Sequence, residues 1–233
     1  MDALRSAGIA LLAALAVAAC APPMVRETAP ASAAANAAMP EGFPGDHYAR
    51  SEGVLRIDSA QSLVAITVRR GGSLSHLGHD HIVASRAMQG YVAPREGRAD
   101  LFIPLAELTV DEPALRAEAG LDTQPSASDI AGTRSNMLDK VLEVQRFPFA
   151  TLRVDRPAAD APLAVAVTLH GVRRSFTVPA AVVGSAGAMS VAGTLEFNQS
   201  DFGIAPFSIL GGAIQVQDRL SLRFSIRATA PSP

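Results

Sequence analysis

Three histidines and an aspartate that could bind a metal ion lie within six positions of one another: His76, His79, Asp80 and His81. On a β-strand, His79 and His81 would share a face, because alternate side chains point the same way. Neutral imidazoles are common zinc and copper ligands, and three of them with a carboxylate or water form a catalytic type of metal shell. One hypothesis is therefore a zinc or copper site at His76, His79 and His81. Their spacing is not a standard ligand pattern, so a polar loop with solvated histidines and a pH-sensitive loop are alternatives.

Serines beside these histidines raise the question of hydrolysis. Ser73, Ser75 and Asp80, together with a histidine, supply the residue types of a hydrolytic triad. No nucleophile elbow of the G-x-S-x-G kind occurs in the sequence, however. We therefore expect a protein that is not an enzyme.

The overall composition narrows the function classes. The chain has 233 residues, a formal net charge of −2 and a pI near 6.2. Nucleic-acid-binding domains usually carry a clustered basic excess, so this balance argues against a nucleic-acid partner. Cys20 is the one cysteine, which excludes an intramolecular disulfide and any site with two thiolate ligands.

The N-terminus has the pattern of a targeting segment. An uncharged, Ala- and Leu-rich run follows Arg5 and is too short to span a bilayer. Cys20 comes directly after small residues, as in the signal of bacterial lipoproteins, so we predict cleavage of a signal peptide at residues 1–19 and lipidation of Cys20. The protein would then be anchored on the periplasmic side of a bacterial envelope, and Ala21 favours the outer membrane. An ordinary secretory signal with a chance cysteine is the alternative.

Two further regions follow the signal. Residues 20–46 are rich in alanine and proline without apolar periodicity, which predicts a flexible linker. Residues 47–230 form the predicted folded domain. Between these boundaries the pattern changes to alternation of apolar and polar residues, which is typical of half-buried β-strands.

Alternating segments account for most of the domain, and they predict an all-β, antiparallel fold of about eight or nine strands. A short helical insertion interrupts them. One helix is predicted over 113–120, opened by Asp111 and Pro113, and a second from about Ser128 to Val144. Because so few residues are helical, an open sheet would have no layer to cover its apolar face. Closure into a barrel buries that face and removes the edges.

A barrel of eight strands holds either packed side chains or one small ligand. Its interior here would be lined by medium-sized aliphatic residues with few aromatics, so an apolar cavity and a solid core are both open. The side chains assigned to the inner face from hydrophobicity are Ile66, Val68, Val165, Val167, Phe197 and Phe224.

Several motifs are similar to those of the YceI-like family of bacterial envelope proteins. The strongest match is the stretch from Phe197 to Ile204, in which Asn198 and Asp201 are interpreted as turn-forming residues. Further matches are the segment from Leu169 to Val178, the segment from Leu55 to Val68, and the helix exit at residues 145–148. In order and spacing they cover residues 53–229. The histidine segment and the helical segment depart from the family pattern, so the polar contacts of that helix are not carried over.

The resemblance implies an eight-stranded, lipocalin-like barrel with a helical flap. It also implies binding of a polyisoprenoid or an isoprenoid quinone, no catalysis, no required cofactor, and a homodimer as the oligomeric form. The leading hypothesis is therefore a non-catalytic, membrane-anchored lipoprotein that binds an isoprenoid-type lipid. The alternatives are a metal-binding envelope protein and a structural barrel without a ligand.

Overall fold

Eight antiparallel strands follow one another in chain order in the computed structural model, which describes residues 39–185 and 187–231. Three of them run as two segments that share at least one neighbour, and a fourth is divided by a proline. The bounds are β1 (Leu55–Ile57 and Leu63–Val68), β2 (His81–Ser85 and Gln89–Ala93), β3 (Arg98–Pro104 and Thr109–Val110), β4 (Phe149–Asp155), β5 (Leu163–Leu169), β6 (Val172–Val178 and Ala180–Ser185), β7 (Ala188–Asn198) and β8 (Arg219–Thr229).

Strand β8 closes the ring. It pairs with β7 along its whole length, and its other edge pairs with both segments of β1. Leu222, for example, lies opposite Leu195 on one side and Ile66 on the other. The remaining strands each pair with the next one in the chain. The prediction of an all-β, antiparallel eight-stranded barrel is thus confirmed.

Strand β6 turns a corner at Pro179 and changes its pairing partner there. Its first segment pairs with β5, and its second segment pairs with β7. Opposite the corner, a Cβ atom on Gly193 would lie 2.8 Å from the Phe224 ring and 2.9 Å from the Pro179 carbonyl oxygen. Only a glycine lets the backbone approach that closely.

Side chains fill the gap that this corner leaves between the first segment of β6 and the end of β7. Phe202 is only 1% exposed, and its ring lies 6.2 Å from Phe176 and 5.8 Å from Phe197. Phe202 ends a 3-10 helix, Gln199–Phe202, and the backbone N–H of Asn198 donates to Asp201 Oδ2 at 3.1 Å. The turn-forming interpretation of Asn198 and Asp201 agrees with this contact.

Helices occupy one end of the barrel, with one exception near the N-terminus. Their bounds are α1 (Gly45–Arg50), α2 (Pro113–Glu118) and α3 (Ala127–Asn136), which continues as a π-helix over Met137–Val141. The second helix was predicted to reach Val144, but Glu143 adopts a left-handed conformation with φ 46° and the helix ends before it. Within the described residues, no helix is long and apolar enough to cross a membrane.

The N-terminal boundary of the folded part lies earlier than the predicted residue 47. Helix α1 begins at Gly45, and the ring of Phe43 lies 5.0 Å from that of Phe102. Tyr48 is 3% exposed and donates a hydrogen bond of 2.7 Å to Asp100 Oδ2. Aromatic side chains therefore attach the end of the predicted linker to the barrel. Residues before 39, including Cys20, lie outside the described residues.

Two strand predictions need correction. The apolar segment from Ile82 to Tyr91, which the sequence predicts as one short strand, bends at residues 86–88, where Met88 is buried. The second segment of β6 was missed, because Ala180–Ser185 shows no alternation of apolar and polar residues. A separate three-stranded sheet, here the small sheet, joins Arg70–Gly71, Ile214–Val216 and Ser208–Ile209 at the helical end of the barrel.

Candidate functional site

The barrel encloses an apolar cavity of about 740 Å³. Its walls come from the inward faces of all eight strands, and aliphatic side chains dominate them. All six residues that the sequence assigned to the inner face line this cavity: Ile66, Val68, Val165, Val167, Phe197 and Phe224. The interior is therefore not packed solid, and the choice between a cavity and a solid core that the sequence left open is resolved in favour of the cavity. Contact of these residues with a lipid stays a prediction.

The cavity reaches the surface at the end that carries α3 and the small sheet. Leu77 and Ile209 line the cavity, yet they are 60% and 47% exposed. His79 and Ser128 line the same opening. We call this opening the mouth and define it by Leu77, His79, Ser128 and Ile209. Apolar side chains at the rim of an apolar cavity give a water-insoluble molecule a continuous path inwards.

Helix α3 lies beside the mouth and contributes Ser128, Asp129 and Asn136 to the cavity lining. Arg134 attaches it to the barrel, since its guanidinium donates to the backbone carbonyl oxygens of Leu108 at 2.9 Å and Ala106 at 2.6 Å. None of the ten residues of α3 is buried. Hydrogen bonds to the barrel, more than burial of an apolar face, thus hold this helix in place.

The predicted histidine cluster does not assemble into a metal site. His79 and His81 line the cavity, with ring centroids 6.2 Å apart, whereas His76 is exposed in the 3-10 turn Ser75–Leu77. Across residues 39–185 and 187–231, no group of three His, Cys, Asp or Glu side chains is placed to hold a metal ion. The turn before Gly78 separates His76 from the strand that carries His81. Closeness in the sequence therefore does not bring the three rings together.

Asp80 is also committed to other partners. It is 7% exposed and accepts hydrogen bonds from Arg69 Nη1 at 2.9 Å and from the backbone N–H of Arg70 at 2.8 Å. Burial alone would raise the pKa of Asp80, but these hydrogen bonds and the two guanidinium groups outweigh it and lower the pKa below its ordinary value. Asp80 therefore fixes the loop between β1 and β2 as an ionised carboxylate.

A second buried carboxylate, Asp111, holds the His81 ring. Asp111 Oδ2 lies 2.6 Å from His81 Nδ1, and Oδ1 accepts from the backbone N–H of Ile82 at 3.0 Å and from Arg116 Nη1 at 2.6 Å. The Asp111 side chain is 0% exposed. Burial alone would raise its pKa, yet the donors from His81, Ile82 and Arg116 prevail and the pKa of Asp111 is lowered. We call His81, Asp111 and Arg116 the Asp111 cluster.

Arg116 completes the cluster from helix α2. It is 8% exposed and also donates to the backbone carbonyls of Asp80, at 2.7 Å, and of Thr123. The sequence interpretation assigned Asp111 to the opening of α2, but Glu112 is the N-cap and Asp111 faces β2 instead, with φ 58°. Sequence reasoning missed Arg116 altogether. Its contact with Asp111 is local, but the burial of the pair depends on a strand 30 residues away in the chain.

An eight-stranded antiparallel barrel around one apolar cavity is the architecture of proteins that enclose a single small ligand. The particular family follows from sequence: the YceI-like domain model matches residues 55–228, and the chain belongs to that family. The resemblance noted in the motifs is thus confirmed.

Solved structures share the fold at low sequence identity. A polyisoprenoid binding domain from Saccharophagus degradans superposes with a TM-score of 0.55 and 16% identity, covering 76% of this chain and 98% of that one. BcnA from Burkholderia cenocepacia gives a TM-score of 0.50 and 18% identity, covering 74% of this chain and 99% of that one. No curated protein matches the chain.

Proposed function

We propose that the protein is a non-catalytic envelope lipoprotein that holds a polyisoprenoid or an isoprenoid-quinone-type lipid in the barrel cavity. The observation that carries the proposal is the apolar cavity of about 740 Å³, open at a mouth with exposed Leu77 and Ile209. Its size falls within the range of ligand sites, about 300–1,000 Å³. Branched aliphatic walls can bind a branched hydrocarbon chain through burial of apolar surface and van der Waals contact, without specific hydrogen bonds.

Two further observations support this ligand class. The Saccharophagus degradans structure of the same fold is described as a polyisoprenoid binding domain. In addition, Asp80 and Asp111, the carboxylates next to the cavity, both accept hydrogen bonds from neighbouring groups and so hold the barrel wall. Neither belongs to the cavity lining, which is mainly aliphatic.

Native mass spectrometry of the full chain, purified from a bacterial host without added lipid or chelator, tests the proposal. We expect an added mass that organic extraction removes and whose fragments belong to an isoprenoid series. An added mass of one zinc or copper ion would instead support the metal hypothesis. A chain that stays bare after incubation with isoprenoid lipids would contradict the proposal. The same spectra give the oligomeric state and so test the predicted homodimer.

The anchor is the second part of the proposal. We expect Cys20 to carry acyl chains, since stable membrane attachment takes more than one chain. Cys20→Ser should move the protein from the membrane fraction to the soluble periplasmic fraction and remove the acyl mass from its N-terminal peptide. An Ala21→Asp variant serves as the control: it should keep the acyl mass and shift the protein from the outer to the inner membrane. A Cys20→Ser protein that stayed in the membrane fraction would contradict lipid anchoring.

A further inference from the structure

The lipid proposed above would have a head and an apolar chain, and the lining of the cavity differs between its aliphatic walls and its polar ends. Most of the lining is aliphatic, and one group of polar side chains lies near the mouth: Arg70, His79, His81, Ser128, Asp129 and Gln215. We propose that Nε2 of His81 is the binding site for the head of the lipid, and that this head is a hydroxyl group, either a phenol or quinol or a terminal alcohol. The inference rests on the proposed function.

The hydrogen bond at the other ring nitrogen selects the tautomer of the neutral His81 ring. Nδ1 lies 2.6 Å from Asp111, a carboxylate that is fully buried and whose pKa is lowered. An ionised carboxylate only accepts hydrogen bonds, so Nδ1 carries the proton. Nε2 is then an acceptor with a lone pair. Within the described part of the chain it has no hydrogen bond partner, and the ring that bears it lines the cavity.

The charged groups around the ring are paired with one another. Asp111 has Arg116 as its ionic partner, Asp80 is paired with Arg69 and approached by Arg70, and Arg70 also lies 3.9 Å from Asp122. Among the described residues, none of these pairs involves Nε2 of His81.

A lone pair that faces an apolar cavity is satisfied best by a donor on the ligand. A hydroxyl group supplies one, whereas an ether, a quinone carbonyl or a hydrocarbon end does not. The opposite end of the cavity offers Arg98 and Arg156, which are donors and suit an anionic head. Arg98 is already paired with Asp100 at 2.8 Å. The mouth therefore favours a hydrogen-bond donor on the ligand, whereas the opposite end favours an anionic head. The experiment includes Arg156 as the competing site.

The test compares geranylgeraniol with its methyl ether, which keeps the chain and the oxygen atom but cannot donate. Affinities for the full chain are measured by displacement of a fluorescent lipid. We expect the alcohol to bind about tenfold more tightly than the ether, the factor that one net hydrogen bond contributes. In His81→Phe the ratio of the two affinities should fall to about one. The control is His76→Phe, an exposed histidine outside the cavity lining, in which the ratio should not change.

The outcomes separate this inference from the proposed function. If both ligands bind the wild-type chain equally, the hydroxyl site is wrong and lipid binding stands. If the preference persists in His81→Phe, the head binds elsewhere. Tighter binding of geranylgeranyl phosphate, abolished by Arg156→Gln and not by His81→Phe, would place the head at the opposite end and overturn the inference. If neither neutral lipid binds, the proposed function fails together with the inference.

Discussion

Val167→Glu is expected to abolish lipid binding while leaving the barrel folded. Val167 lines the cavity on β5 and is half-buried, so the new carboxylate would face the space that the lipid chain occupies. Apolar binding would then bury an unpaired charge, at a cost of several kcal/mol. We expect the affinity for geranylgeraniol to fall at least about 100-fold, since each tenfold step corresponds to about 1.4 kcal/mol. Without the lipid, water entering through the mouth can solvate the carboxylate.

The neighbouring residue provides a matched control for this charge. Thr168 points to the other face of β5 and pairs with Arg173 of β6, so Thr168→Glu should bind lipid normally. Val167→Thr keeps the shape of the side chain and replaces one methyl group with a hydroxyl group. This variant covers the case in which glutamate unfolds the barrel. It should weaken binding measurably and leave the circular dichroism spectrum unchanged. Normal affinity in both Val167 variants would contradict the assignment of this wall to the ligand.

Asp111→Ala is expected to be the most destabilising single substitution in the polar part of the molecule. It removes the carboxylate that Arg116, His81 and the Ile82 N–H share, and it leaves the Arg116 guanidinium buried without its ionic partner. Breaking a buried pair in this way costs about 3 to 5 kcal/mol of unfolding free energy. Alanine at φ 58° adds backbone strain to that loss. Urea denaturation of the variant and the wild-type chain measures the difference.

The same carboxylate predicts an acid limit for stability. Because the pKa of Asp111 is lower in the folded than in the unfolded protein, its stabilising effect is present above about pH 4 and is lost as the pH falls through the folded value. Asp111→Asn, which tolerates the positive φ, should flatten this part of the pH profile.

The control pair for Asp111→Ala is Glu52 and Arg95, which are 89% and 74% exposed. Glu52→Ala should change the unfolding free energy by less than about 1 kcal/mol. A smaller effect of Asp111→Ala than of Glu52→Ala would refute the role of the Asp111 cluster.

The barrel could be predicted because the pattern that indicates each strand lies within the sequence of that strand. A half-buried strand such as β8 alternates apolar and polar residues along its length. The inward-facing side chains of each strand can therefore be predicted from that strand alone. The six inner-face residues followed from that alternation and all line the cavity. The breaks within strands were not predictable in this way. The bend at Met88 and the corner at Pro179 depend on which strand lies alongside, and alternation carries no information on that.

The polar site was harder to predict for a similar reason. His79 and His81 stood out through their spacing, but the partner that decides the chemistry of His81 is Asp111, 30 residues along the chain. Asp111 precedes a proline at a helix start, where a capping role is the ordinary expectation. Only the pairing of β2 with the end of β3 brings its carboxylate to the imidazole. The spacing of three histidines suggested a metal site as one hypothesis, whereas the contact of His81 with a buried carboxylate is visible only in the structure.

The two tyrosines are Tyr48 of α1 and Tyr91 of β2, and the chain contains no tryptophan. Tyr48 stacks on Tyr91 with ring centroids 5.3 Å apart, and neither ring lines the cavity. Intrinsic ultraviolet fluorescence therefore reports on whether α1 stays docked and is insensitive to what fills the barrel. A bound phenol or quinol would absorb at longer wavelengths than the phenylalanine rings of the cavity wall. Its own absorption and emission would follow loading and release of the lipid without a label.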